Sequence, residues 1–237
     1  MAEFFTLIKN KNIIITGTSK GIGYYLTKKF LKTGNSVWGC SRSKNNIKHK
    51  KYIHTKLDLN NEKQIINWVK NISKKSNLKI DLLINNAATY ENKLNFFNNY
   101  RNINSTFKVN LIAPVLLTNL ISKLMLTKRE GSIIFISSVA SILQEPGTSL
   151  YASSKSALER FAKILRQELV KFNVKVAILR VQYIKTSLST KVSKSKLLKL
   201  KKHFVSNKLN TKKKLYQEVI KIFLKKKSSM LISDNLR

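Results

Sequence analysis

The chain has 237 residues, of which 43% are hydrophobic, with 46 Lys+Arg against 11 Asp+Glu for a formal charge of +35. That length and apolar share support one domain with a full buried core and exclude a disordered basic tail. A lone cysteine, Cys40, excludes a disulfide framework or a Cys-based metal site, and Met1 to Asn12 is too short and polar for a signal peptide; with no run of 18 apolar residues, a cytoplasmic protein with no membrane span is expected.

Short β-branched runs alternate with helical patterns along the chain, which predicts βαβ units and a parallel sheet. Strands are expected at Asn12–Thr16, Ser36–Cys40, Tyr52–Leu57, Ile80–Ile84, Ser132–Ser137 and Val174–Arg180. Helices are expected at Ile22–Lys32, Glu62–Lys74, Tyr100–Leu126, Tyr151–Phe172 and near Thr211–Lys226. In the fourth of these, Leu158, Phe161, Ala162, Leu165, Leu169 and Phe172 recur at steps of three and four, one apolar stripe. No repeat and no linker divides the chain, so residues 1–237 read as a single α/β domain, a doubly wound parallel sheet in three α/β/α layers.

The charge is less informative than it looks. Of the basic residues 39 are Lys and 7 are Arg, whereas base readout and bidentate phosphate clamps favour Arg. The Lys residues are scattered over every segment, which reads as compositional background, and no nucleic-acid partner is expected. One stretch is denser: Lys185 to Lys227 holds 15 Lys against one acid, Glu218, and could face an acidic partner.

Thr16-Gly17-Thr18-Ser19-Lys20-Gly21-Ile22-Gly23 follows the first strand and opens the first helix. Three of the chain's 7 Gly fall in this one turn. Gly lets backbone approach a pyrophosphate, while the helix N-terminus offers unpaired N–H groups and a positive dipole end. Gly17, Ser19, Lys20, Gly21, Ile22 and Gly23 are therefore candidate cofactor contacts.

The Gly-x-x-x-Gly-x-Gly spacing resembles the short-chain dehydrogenase/reductase family, and the likeness continues through Asn85-Asn86-Ala87, Asn110, Ser138 and Tyr151-x-x-x-Lys155. The resemblance implies a Rossmann-type fold and a nicotinamide cofactor, with Asn86, Ala87, Asp58 and the adjoining Leu59 beside it and Ile184 and Thr186 at the nicotinamide carboxamide. Free ribose hydroxyls are held by an acid at the end of the second strand, whereas a 2′-phosphate needs a cation. That strand ends in Ser41-Arg42 with no carboxylate, and Lys20 adds a second cation, which points to NADP(H) over NAD(H).

Reducing a carbonyl needs an acid for the developing alkoxide and donors that polarise the oxygen. Tyr151 and Lys155 at i and i+4 share a helix face, and a cation beside a phenol is expected to lower its pKa. The resemblance assigns Tyr151 as general acid–base, Ser138 as donor to the substrate oxygen and Lys155 as tuner and ribose ligand. Asn110 would hold Lys155 through a water.

Two places depart from the family pattern. Val181-Gln182 stands where Pro-Gly is expected, and the Gly-rich segment that follows the family's last strand is absent after Ser229–Asp234. The second departure favours a homodimer on the long central helices, with a tetramer as the alternative. Residues 186–210 read as a lid over the substrate. In length and spacing the chain is similar to 3-oxoacyl-acyl-carrier-protein reductases, which implies a carbonyl substrate, free or carried by acyl carrier protein. The alternatives are a dehydrogenase of a sugar or small alcohol, and a binding protein that reuses the fold without catalysis.

Overall fold

The computed structural model describes residues 8–77, 79–182 and 211–224. In chain order the elements are β1 (Asn12–Thr16), α1 (Gly21–Lys32), β2 (Ser36–Ser41), β3 (Tyr52–Lys56), α2 (Glu62–Lys75), β4 (Leu82–Asn85), α3 (Tyr100–Phe107), α4 (Ala113–Lys128), β5 (Gly131–Ser138), α5 (Ser149–Leu169), β6 (Val174–Val181) and α6 (Lys212–Leu224). Each lies within a few residues of its predicted span, except that the one helix predicted over Tyr100–Leu126 is divided into α3 and α4. The expected final strand and the 186–210 segment lie outside the described residues.

All strand pairings are parallel, in the order β3-β2-β1-β4-β5-β6. The order reverses direction between β1 and β4, and in such sheets ligands bind beyond the carboxyl ends of the strands at that switch. Both β1 and β4 are short apolar runs buried on both faces, as parallel strands covered by helices must be. The strand period of two splits the core. Ile14 and Leu83 face one layer with Ile65, Leu117, Ile121 and Leu158 of α2, α4 and α5. Ile13, Ile15, Leu82 and Ile84 face the other, with Leu26 and Phe30 of α1 and Leu215 and Val219 of α6.

Two local details shape the helices. Asn61 caps α2, its side chain accepting from the backbone N–H of Gln64 at 3.1 Å. Asn61→Ala removes that acceptor and is expected to destabilise the protein by about 1 kcal/mol in urea titration. A change below a few tenths would mean that solvent replaces the cap.

The predicted helix from Tyr100 to Leu126 is not regular. Lys108–Ile112 form a π turn between α3 and α4, and Asn110 is fully buried inside it. Such turns insert one residue into an α-helix and occur often at functional sites. The run Tyr100–Lys128 is by length and composition long and apolar enough to cross a membrane, an 18-residue window within it reaching a mean hydropathy of 1.7. Here Ala113, Leu117, Ile121 and Met125 pack it against the sheet as a core helix.

Candidate active site

The cleft sits where the strand order reverses, with a volume of about 370 Å³. Its floor at one end is the glycine-rich turn. Gly17 and Gly21 both adopt positive φ, +76° and +66°, a region that costs any other residue strain. A Cβ on Gly23 would run into the Gly17 carbonyl and lie 2.6 Å from Asn86 Nδ2, so only Gly lets α1 begin this close to β4. The turn is tied down from both sides. Gly17 and Thr18 N–H donate to Cys40 O at 2.8 and 3.1 Å, and Asn86 Nδ2 donates to Thr16 O at 2.8 Å. Thr16 Oγ1 in turn accepts from the N–H groups of Asn86 and Ala87 at 3.0 and 2.9 Å.

Lys20 precedes α1 as its N-cap residue and makes no side-chain cap. The first-turn N–H groups of α1 therefore face the cleft as donors, with the positive end of the helix dipole behind them. These features fit the pyrophosphate of a dinucleotide. Gly17, Ser19, Lys20, Gly21 and Ile22 line the cleft, while Gly23 works from behind them.

The predicted adenosine end is brought together as well. Ser41, Arg42, Asp58 and Leu59 line the same cleft beside Asn86 and Ala87. Ser41 Oγ donates to Ser43 O at 2.8 Å, which leaves its lone pair for His54 Nε2, also at 2.8 Å. His54 escaped the sequence reading because its partner lies on the neighbouring strand. Asp58 serves its own turn too, Oδ1 accepting from the N–H and the amide of Asn60, both at 3.0 Å.

At the opposite end, Ser138 closes β5 while Tyr151 and Lys155 project from one face of α5, and all three line the cleft. The Ser138 hydroxyl lines the cleft with Tyr151, where it favours the ionised phenol, and it accepts from Ala140 N–H at 3.2 Å. Tyr90 stacks edge-on against the Tyr151 ring, with centroids 4.9 Å apart. The Lys155 ammonium donates to Ile136 O at 2.9 Å and lies 5.9 Å from the Tyr151 ring centroid.

The expected lowering of the phenol pKa is overturned. Burial pushes Tyr151 up to about 12, Ser138 opposing and Tyr90 adding to the rise. Burial also pushes Lys155 down to about 8, with the Glu159 carboxylate opposing. Desolvation is the largest cause at both groups, and no attraction between the Lys155 ammonium and the phenol offsets it. Tyr151 is thus a protonated acid throughout the neutral range.

Asn110 lies behind this group, and its partners are Thr89 and Ser154 on either side of it. Its Oδ1 accepts from Thr89 N–H at 2.8 Å, and its Nδ2 donates to Thr89 O at 3.0 Å and Ser154 Oγ at 3.1 Å. The side chain ties the π turn to the loop after β4 and to α5. Ile184 and Thr186 lie outside the described residues.

A buried acid behind the site was also missed. Glu159 takes a bidentate pair from Arg180 and hydrogen bonds from Ser137 and Ser141. Burial alone would raise its pKa, but these donors outweigh it and hold the carboxyl below its usual range. The available signal was its place four residues beyond Lys155.

Comparison with known proteins agrees with this geometry. The family model for short chain dehydrogenases matches residues 11–197. The 3-oxoacyl-[acyl-carrier-protein] reductase FabG of Buchnera aphidicola subsp. Acyrthosiphon pisum is 30% identical over 227 residues, covering 93% of both chains. The NADPH-dependent 1-acyldihydroxyacetone phosphate reductase of Saccharomyces cerevisiae is 30% identical over 70% of this chain and 58% of its own length. Among solved structures, 4-hydroxyisoleucine dehydrogenase complexed with NADH superposes with a TM-score of 0.83 at 24% identity, covering 93% of this chain and 96% of that one. The glycine-rich turn, the Ser138–Tyr151–Lys155 group and these matches converge: the chain belongs to the short-chain dehydrogenase/reductase family, oxidoreductases that interconvert alcohol and carbonyl groups.

Proposed function

We propose that the protein is an NADPH-dependent reductase that takes a carbonyl to an alcohol, with 3-oxoacyl thioesters as the first substrate class to test. The observation that carries this reading is that Ser138, Tyr151 and the buried Lys155 line one cleft with the glycine-rich turn. When bound, the cofactor supplies the hydride. Ser138 donates to the carbonyl oxygen, and Tyr151 transfers its phenolic proton to that oxygen as charge develops. Lys155 binds the ribose and supplies positive charge next to the phenolate that remains. The thioester class rests on the similarity to FabG, which is named as a 3-oxoacyl-[acyl-carrier-protein] reductase. NADPH consumption against a panel of acetoacetyl thioesters, simple ketones and sugars tests it. Turnover confined to sugars would replace this reading with a sugar dehydrogenase, and no NADPH binding at all would leave a non-catalytic use of the fold.

The preference for NADPH is supported by Arg42 and Lys20 at the cleft edge and by the lack of an acid at the end of β2. A charge-assisted hydrogen bond to a phosphate contributes about 1.5–3 kcal/mol. Arg42→Ala is accordingly expected to raise the Kd for NADPH by about tenfold or more and to leave NADH nearly unchanged. Equal losses for both cofactors would place Arg42 away from the 2′-phosphate.

The outer faces of α3, the π turn and α5 leave Tyr100, Ile112 and Ile164 exposed. We assign this surface to a homodimer, which light scattering at micromolar protein checks; a tetramer would overturn it.

A further inference from the structure

Tyr151, Lys155 and Glu159 recur every fourth residue on α5, so they stand on one face about 6 Å apart along the helix axis. The first two reach the cleft. Glu159 lies one turn deeper, 4% exposed, and its carboxylate gathers donors from three other places: the end of β5, the turn after it and β6. Oε1 accepts from Ser137 Oγ and Ser141 Oγ, both at 2.6 Å, and Arg180 Nε lies 2.9 and 3.0 Å from the two oxygens.

The placement of these donors is specific. Ser137 precedes Ser138 by one residue and Ser141 follows it by three, so one carboxylate grips the chain on both sides of the serine that shares the cleft with Tyr151. Arg180 is the register partner of Ser137, and Val181 that of Ser138. The ion pair and the β5–β6 ladder therefore close a loop around Ser138. Arg180 also stands directly before Val181-Gln182, where the chain lacks a Pro that would stiffen the exit of β6. The bidentate guanidinium fixes that exit by another means.

We propose that Glu159, clamped by Arg180, is a positioning residue for the reaction: it holds Ser138 opposite Tyr151 and presents a negative charge to the Lys155 ammonium. The charged and titratable groups around Lys155 are Tyr151 and Glu159 from α5, Tyr90 behind Tyr151, and Arg180 from β6 behind Glu159; β5 adds the Ile136 carbonyl and the Ser137 and Ser138 hydroxyls. A pair that only filled space would need neither the serines nor the neighbouring lysine. Isosteric apolar residues often replace buried ion pairs at no loss of stability.

This inference rests on the reading of Tyr151 and Lys155 as the proton-transfer pair, so its test includes a readout that needs no turnover. Lys155 is titrated by NMR of its side chain, assigned by difference from Lys155→Met, in the wild-type protein and in Glu159→Gln. The titration midpoint is expected to fall in Glu159→Gln, because the opposing charge is gone. In steady-state assays kcat is expected to drop about 10- to 100-fold, as misplacement of a reacting group does. Its alkaline limb should move to lower pH, with a smaller change in the KM for NADPH. If Glu159→Gln does not fold, the double variant Glu159→Leu with Arg180→Met carries the same expectations. An unchanged Lys155 midpoint in a folded variant overturns the proposal. Absence of turnover in the wild type would instead strike the functional reading and leave the midpoint to decide this one.

Discussion

Tyr151→Phe is expected to lower kcat by about 100- to 10,000-fold, the range that a positioned acid contributes, while NADPH binding stays within a few-fold of wild type. The substitution removes one oxygen and little else. The ring remains to stack against Tyr90, and Ser138 keeps its bond from Ala140 N–H, so the cleft retains its shape. The pH dependence follows from the two shifted groups. With Tyr151 up at about 12, the acid stays protonated across the neutral range, so wild-type reduction should not fall on its account. The fall should come as Lys155 loses its proton at about 8. Alcohol oxidation, which needs the phenolate as base, should instead rise with pH. Stopped assays in both directions from pH 6 to pH 10 check this together with the variant. Turnover of Tyr151→Phe within a few-fold of wild type would remove Tyr151 from the chemistry.

The elements and the motif-bearing residues were legible because both are local. β1 was read to the residue, since an apolar β-branched run bounded by Lys11 and Gly17 leaves little choice. The glycine-rich turn was legible because three scarce residues sit in one strand-to-helix context. What escaped is non-local or breaks a period silently. The π turn at Lys108–Ile112 adds one residue to a helix whose apolar pattern continues on either side, so no composition signal marks it. Glu159 and Arg180 are 21 positions apart, and their pairing exists only once β6 lies beside β5. The direction of the Tyr151 shift was misjudged for a related reason: spacing shows that a cation is near, but not how deeply both groups are buried.

Lys155→Met is expected to abolish efficient turnover and yet to stabilise the fold at neutral pH. Lys155 is 3% exposed, and its pKa falls from 10.5 to about 8 on folding because burial disfavours the ammonium. Between those values the unfolded chain binds more protons than the native one, so this residue makes stability rise with pH in that window. Below pH 8 the lysine is charged in both states and its full burial cost is present; above 10.5 it is neutral in both and the cost is gone. At about 1.4 kcal/mol per pKa unit the cost is roughly 3 kcal/mol. Methionine removes it but leaves Ile136 O without its donor, a loss of about 1 kcal/mol or more. Arg180 and the two serines still hold Glu159. The net gain at pH 7 should therefore be about 1–2 kcal/mol by urea unfolding, and it should shrink or reverse by pH 10.5. Shifts of the chain's other lysines cancel in the difference between variant and wild type. A Lys155→Met protein less stable than wild type at pH 7 would show that the ammonium bonds outweigh its desolvation. A stabilised, inactive variant would mean instead that the fold tolerates a buried cation at a cost, held there by the geometry of the site.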